Sequence, residues 1–413
     1  MKVHVYGNTL NSAFHLTKAL RDKGIDAEMF LDNSSPFDQD FPWWDDASLT
    51  ADNLPPWIRY YKLFPNFVLP TGETKRMIDD FAKCDVALVS CYGPMLAMRA
   101  KVRFVFYSLG NDLNTIDYKD EISALFFSSI TFKNRLRKLV KLLGFVRLQS
   151  RALKRHAARI IIYMGYQYGP YIVKHGLQDK TVKLTYPKDV INYAVPVDKE
   201  LYEEYRQFDS VFFMLSRHSW KSVWNDIKGN DKFIRAFARY VRSRKPNVIL
   251  IMANKGIDVD ASKALVNELG IGEFIQWVDD MPKHRLKKYQ SLPNAVTVDN
   301  FWHDKWYERY PEDKDAPKVG FGFGCIEALA SKSLLITAFK DHEFYGGESP
   351  PILDAFTEDE IYDRLVELDE MPPNEREEMR QAGYDFVLKW HEQTTAVDTH
   401  INILRDVYSA GKR

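Results

Sequence analysis

The chain has 413 residues, enough for two or three domains at roughly 150 residues each. Apolar residues make up 45% and charged residues 28%, a balance that excludes wholesale disorder. Lys plus Arg and Asp plus Glu both total 57, and the resulting zero formal charge argues against a dedicated nucleic-acid binder. Three cysteines, Cys84, Cys91 and Cys325, form neither a disulfide framework nor a zinc spacing, which fits a reducing, cytoplasmic setting. The opening Met-Lys-Val-His-Val-Tyr-Gly lacks an apolar run of signal-peptide length, and no window reaches about 18 apolar residues, so neither export nor a membrane span is expected.

A buried strand at 3–6 meets Gly7-Asn8, and a helix carrying Ala13, Leu16, Ala19 and Leu20 follows, capped by Thr9 or Asn11 and ended by Gly24. A second strand at 27–31 completes a strand-helix-strand unit, the signature of a parallel sheet. Further short apolar strands are expected at 86–90, 103–107 and 159–164, each running into a Gly-containing turn such as Gly110-Asn111-Asp112. The second half repeats the scheme, with strands at 211–215, 248–252, 274–278, 295–298 and 334–337. Helices alternate with them at 231–242, 261–269, 285–290 and from Gly324 to Ala330. The 231–242 helix is to be capped by Asn230 or Asp231. This alternation predicts an α/β protein of two doubly wound, Rossmann-like domains facing a central cleft: 1–198, 199–390, and a C-terminal helix at 391–413 packing back on the first.

Two stretches in the second half carry the chemistry. In Gly320-Phe321-Gly322-Phe323-Gly324, alternating glycines precede a helix bearing Glu327. Glycines let backbone approach a ligand, helix amides donate to phosphate or sugar, and a carboxylate can take vicinal ribose hydroxyls. The plainer alternative is a loop with a carboxylate stabilising a helix start. Arg217 ends a strand and Lys228 precedes a helix, two cations suited to a pyrophosphate, with a solvated basic loop as the alternative.

Arg217 with Lys228-Gly229, followed by Gly320-Phe321-Gly322 and Glu327-Ala328-Leu329-Ala330, resembles the GT-B glycosyltransferases of the large retaining family. The resemblance runs through most of 211–335; the N-terminal half matches only in strand-helix order and turns. It implies a nucleotide-sugar donor held by the C-terminal domain, with Arg217 and Lys228 on the diphosphate, Glu327 on the ribose and Gly322 to Gly324 making backbone contacts. It also implies transfer with retention; a glycan or lipid-linked acceptor is expected on the N-terminal side near Gly7, Asn8 and Asp112, and, with Arg and Lys neutralising the diphosphate, no cofactor or metal. Two departures stand out. The family's first glutamate would fall at position 319, which is Val319, and Arg217 and Lys228 are widely spaced, so Lys221 competes for the phosphate role. Val319 keeps open a catalytically weakened sugar-nucleotide-binding partner subunit; another GT-B enzyme, such as a sugar-nucleotide epimerase, is the other alternative.

Residues 133–159 hold ten Lys or Arg and no Asp or Glu, interleaved with apolar residues. They read either as a peripheral contact with an anionic membrane or as the basic face of an ordinary helix. The acidic-aromatic stretch 37–46, continued at 57–61, reads as a sugar-binding platform or as aromatics covering a sheet edge.

Overall fold

Val3, Val5, Ala87, Leu88, Val105 and Phe106 are wholly buried, so both faces of these strands are covered, as parallel sheets flanked by helices require. The computed structural model describes residues 1–35, 38–109, 113, 132–163, 169–221, 228–301, 321–340 and 342–411. These fall into two compact units, 1–188 with 393–413, and 189–392.

The first unit is a parallel sheet in the order β3-β2-β1-β4-β5-β6-β7. Its strands are β1 (Lys2–Tyr6), β2 (Asp26–Asp32), β3 (Ile58–Tyr61), β4 (Val86–Val89), β5 (Phe104–Ser108), β6 (Ala157–Ile162) and β7 (Thr181–Lys183). Helices α1 (Ser12–Asp22), α2 (Gly72–Phe81), α3 (Gly93–Ala100), α4 (Phe132–Arg151) and α5 (Gly169–Lys174) connect them. The second unit is a parallel sheet in the order β10-β9-β8-β11-β12-β13. Its strands are β8 (Ser210–Met214), β9 (Val248–Ala253), β10 (Ile275–Val278), β11 (Ala295–Val298), β12 (Leu334–Thr337) and β13 (Leu353–Asp354). Its helices are α6 (Lys199–Tyr205), α7 (Asn230–Arg244), α8 (Val259–Glu268), α9 (Lys283–Gln290), α10 (Phe323–Ala330), α11 (Glu358–Glu370) and α12 (Pro373–His391).

β3, β7 and β13 escape sequence reading because they are short and lie at or next to a sheet edge, where burial is incomplete and the apolar run correspondingly weak. Neither expected cap makes a capping bond. Asn11 occupies the cap position of α1 without a capping bond; its Nδ2 donates to the Phe41 carbonyl at 2.7 Å. Gly229, at φ +66°, caps α7, because Asn230 Oδ1 accepts from the Ser219 amide at 3.0 Å. The units divide at 188/189 rather than 198/199, since Val190 and Tyr193 are buried in the second unit's core beside Phe321 and Phe386.

The last helix, α13 (Gln393–Ser409), belongs to the first unit and packs on α1, β4, β5 and β6. His400 is its polar anchor. Its Nδ1 donates to the Ala396 carbonyl at 3.0 Å, so its Nε2 accepts from the Tyr163 hydroxyl at 2.7 Å. This neutral tautomer suits the site, since burial lowers the imidazole to about 4. Burial likewise lowers His4 and His218 to about 4.

An unfolded histidine titrates near 6.5, so between about pH 6.5 and 4 the unfolded chain binds protons that the folded one refuses, and stability falls as pH falls. Each of the three contributes a loss on the order of 3 kcal/mol over that range. Thermal melts should therefore drop steeply from pH 7 to pH 4.5, and a His400→Gln variant should lose less over the same interval. A wild-type melting temperature that is flat across it would refute the assignment.

Candidate functional site

Crossovers from β8 run one way to β9 and β10, while β11 lies on the other side of β8, so the winding of the second sheet reverses between β8 and β11. Ligands of open parallel sheets bind at the carboxyl ends of the strands beside such a seam. Arg217 follows β8, Asp299 follows β11, and Lys228 stands before α7.

The loop after β8 is fixed by backbone bonds. The His218 amide donates to the Lys255 carbonyl at 2.7 Å, and the Asp258 amide donates to the His218 carbonyl at 3.0 Å. Asp258 Oδ2 accepts from the amides of Trp220 and Lys221, both at 2.8 Å. Gly256 is required at the crossing: its φ is +116°, and a Cβ there would lie 2.4 Å from the His218 carbonyl oxygen. His218 is wholly buried, and its Nδ1 lies 2.8 Å from Ser262 Oγ. Arg217 stands beside this anchor, half-buried, while Lys221 is exposed. Lys228 is half-buried; its amide donates to the Ser219 carbonyl at 2.6 Å and its carbonyl accepts from Phe301 at 2.9 Å.

Gly322 caps α10, and the amides of its first turn lie at the same end of the sheet. Here the structure shows a residue the sequence reading missed. Asp299 is only 8% exposed, and a Cβ on Gly324 would lie 3.2 Å from its Oδ2. The Cys325 thiol donates to that oxygen at 3.4 Å. Burial and the neighbouring Asp299 carboxylate push the thiol well above its ordinary range, so Cys325 is a neutral donor and no nucleophile; the Lys228 ammonium is near enough to oppose this shift. Phe321 is buried against Phe339.

Glu327 lies beyond the first turn of α10, so it does not act on the helix start. It is buried and pairs with the buried Lys283 ammonium of α9 at 2.9 Å. Lys283 offered no sequence signal, because it is remote from Glu327 in the chain.

In the first unit Gly7 closes β1 at φ +96°, and a Cβ there would meet Ser90 Oγ at 2.3 Å. The hydroxyls of Ser90 and Tyr107 both donate to its carbonyl at 2.8 Å. The Asn8 amide shapes the loop: Nδ2 donates to Asn11 Oδ1 at 2.9 Å and to the Asp40 carbonyl at 2.5 Å, and Oδ1 accepts from the Phe14 amide at 3.0 Å. The acidic-aromatic stretch supports the same loop, with Asp40 accepting from the Leu10 amide at 2.6 Å and Phe41 stacked on Trp43 at 4.7 Å. Asp112, Gly320 and Val319 lie outside the described residues. Among the described residues no cluster of His, Cys, Asp and Glu could hold a metal ion, and no helix is long and apolar enough to cross a membrane.

No protein-family profile and no curated protein matches the sequence. Solved structures match over nearly the whole chain. HepE of Anabaena, in complex with UDP and glucose, is 13% identical with a TM-score of 0.64, covering 98% of this chain and 100% of its own. Sucrose-phosphate synthase of Thermosynechococcus elongatus is 13% identical at 0.67, covering 99% and 100%. WaaG, a glycosyltransferase involved in lipopolysaccharide biosynthesis, is 11% identical at 0.61, covering 98% and 99%. The chain has the GT-B fold of these glycosyltransferases.

The Glu327–Lys283 pair makes a prediction of its own. Removing one member of a buried ion pair strands the other, so Glu327→Gln and Lys283→Met should each cost about 3–5 kcal/mol. The double variant should cost clearly less than the sum, as measured by urea denaturation. Strict additivity would mean that the two side chains do not pair.

Proposed function

We propose that the protein is a glycosyltransferase that moves a sugar from a nucleotide-sugar donor to a glycan or lipid-linked acceptor, with retention of configuration. What supports this reading is that Arg217 follows β8, Lys228 precedes α7 and the glycine start of α10 follows β11, so the chain ends next to the seam between β8 and β11 carry two cations and a helix N-terminus. HepE, of the same fold, was solved with UDP-glucose as well as with UDP.

In this mechanism the diphosphate of the donor lies against Arg217, Lys228 and the amides after Gly322. As the glycosidic bond breaks, these groups stabilise the charge growing on the leaving phosphate. Glu327, held in place by its pairing with Lys283, takes the ribose hydroxyls. The departing phosphate accepts the acceptor's proton, so no separate protein base is needed. Arg and Lys neutralise the diphosphate without a metal. The acceptor binds the first unit near the Gly7-Asn8 loop. Arg217→Ala or Lys228→Ala should lower turnover roughly 100-fold or more and weaken nucleoside diphosphate binding. Titration calorimetry with UDP, GDP and ADP, paired with transfer assays, checks this. If Lys228→Ala is silent and Lys221→Ala is not, the phosphate lysine is Lys221. If the wild-type protein binds no nucleoside diphosphate or sugar nucleotide, the proposal fails.

The basic segment bears on the acceptor. Over residues 142–159, Arg147, Arg151, Arg155 and Arg159 are exposed, whereas Leu153 is buried in the first unit's core and Phe145 and Leu148 pack against that core. Phe145, Leu148 and Leu153 are therefore engaged by the protein while Leu143 is exposed, and the contact proposed with an anionic membrane is mainly electrostatic. Such contacts contribute on the order of 1 kcal/mol per cation and weaken with salt. Vesicle co-sedimentation should show binding only with anionic lipid at low salt, lost in an Arg147→Glu/Arg151→Glu/Arg155→Glu variant. Binding indifferent to lipid charge would leave the segment as the basic face of a structural helix.

A further inference from the structure

We propose that Asp299 is a specificity-determining residue that accepts a hydrogen bond from a hydroxyl of the sugar being transferred. This rests on the glycosyltransferase reading above. A carboxylate taken out of water needs hydrogen-bond donors or a cation in compensation. Asp299, 8% exposed, meets one side-chain donor among the described residues, the Cys325 thiol at 3.4 Å on Oδ2. A carboxylate can accept about four hydrogen bonds, so most of its capacity is left for a ligand.

Its position narrows what that ligand is. Asp299 ends β11 at the seam, against the glycine turn that starts α10; a Cβ at Gly322 or Gly324 would approach Oδ2 to 3.7 Å or 3.2 Å. Glycine at these positions keeps the floor open, so a ligand group can come within hydrogen-bond distance of both backbone and carboxylate. An anion there repels a phosphate placed directly against it, and Arg217 and Lys228 already suit the diphosphate. What remains for Asp299 is the neutral, hydroxyl-bearing part of a sugar nucleotide. A divalent cation is the poorer fit, because Asp299 has no second acidic or histidine ligand in a metal-holding cluster among the described residues. Thr337 Oγ1, buried at the end of β12 and 3.7 Å from Cys325 Sγ, helps fix the thiol and through it the carboxylate.

The test compares wild type with Asp299→Asn on UDP-, GDP- and ADP-hexoses and on monodeoxy-hexose forms of whichever donor is turned over. Calorimetry of the matching nucleoside diphosphate runs in parallel. Expected for Asp299→Asn is a nucleoside diphosphate affinity within about twofold of wild type, together with a kcat/KM for the hexose donor lower by roughly 100-fold. One monodeoxy donor should be strongly discriminated against by wild type and no longer by the variant. Asp299→Ser, which also removes the charge, should behave alike and serves if the Asn variant does not fold. Unchanged discrimination in both variants, or an equal loss of diphosphate and sugar-nucleotide affinity, would overturn the role of Asp299 while leaving the glycosyltransferase reading intact. Activity abolished by EDTA in wild type but not in Asp299→Asn would instead assign the carboxylate to a cation. A wild-type protein without sugar-nucleotide binding sinks both.

Discussion

The seam between β8 and β11 is the constraint on which the candidate site depends. Parallel strands require crossovers, and crossovers of one hand place the connections on opposite faces of the sheet on the two sides of the first strand. Loops leaving β8 and β11 then diverge and open a crevice at their carboxyl ends. Arg217 and Asp299 are brought there by the sheet order alone, although a long stretch of chain separates them. The first unit has the same reversal between β1 and β4, and there Gly7 is pinned by Ser90 at near-contact distance.

Around the second seam, charge is arranged by burial. Arg217 and Lys228 remain half-buried, whereas Glu327 and Lys283 are withdrawn together into the protein and compensate each other. Among the described residues Asp299 is withdrawn with only the Cys325 thiol as a side-chain donor. The two buried carboxylates differ in their partners: Glu327 pairs with an ammonium, and Asp299 meets a thiol. Neutral His218 contributes differently: wholly buried beside Ser262, it lies at the backbone crossing that Gly256 permits and that fixes the loop.

The C-terminal helix shows how a distant segment completes a core. Val397, Ile401, Leu404 and Val407 are buried on the first unit, and each buried aliphatic side chain of that size contributes about 1.5–3 kcal/mol. His400 sits among them as a neutral imidazole with both nitrogens bonded, which makes acid a specific threat to this docking.

The sequence by itself determined the alternation of strands and helices, because period-2 and period-3.6 apolar patterns and glycine punctuation are local properties. It also determined where Arg217, Lys228, Gly322 and Gly324 stand relative to their strands and helices, since each lies within a few residues of an element end. Only the tertiary structure decided the partner of Glu327, the burial of Asp299 against Cys325, the side-chain bonds of Asn11 and Asn230, and the short strands β3, β7 and β13. Each of these depends on contacts between residues far apart in the chain, and no local pattern encodes which side chain a buried charge or an unpaired strand edge will meet.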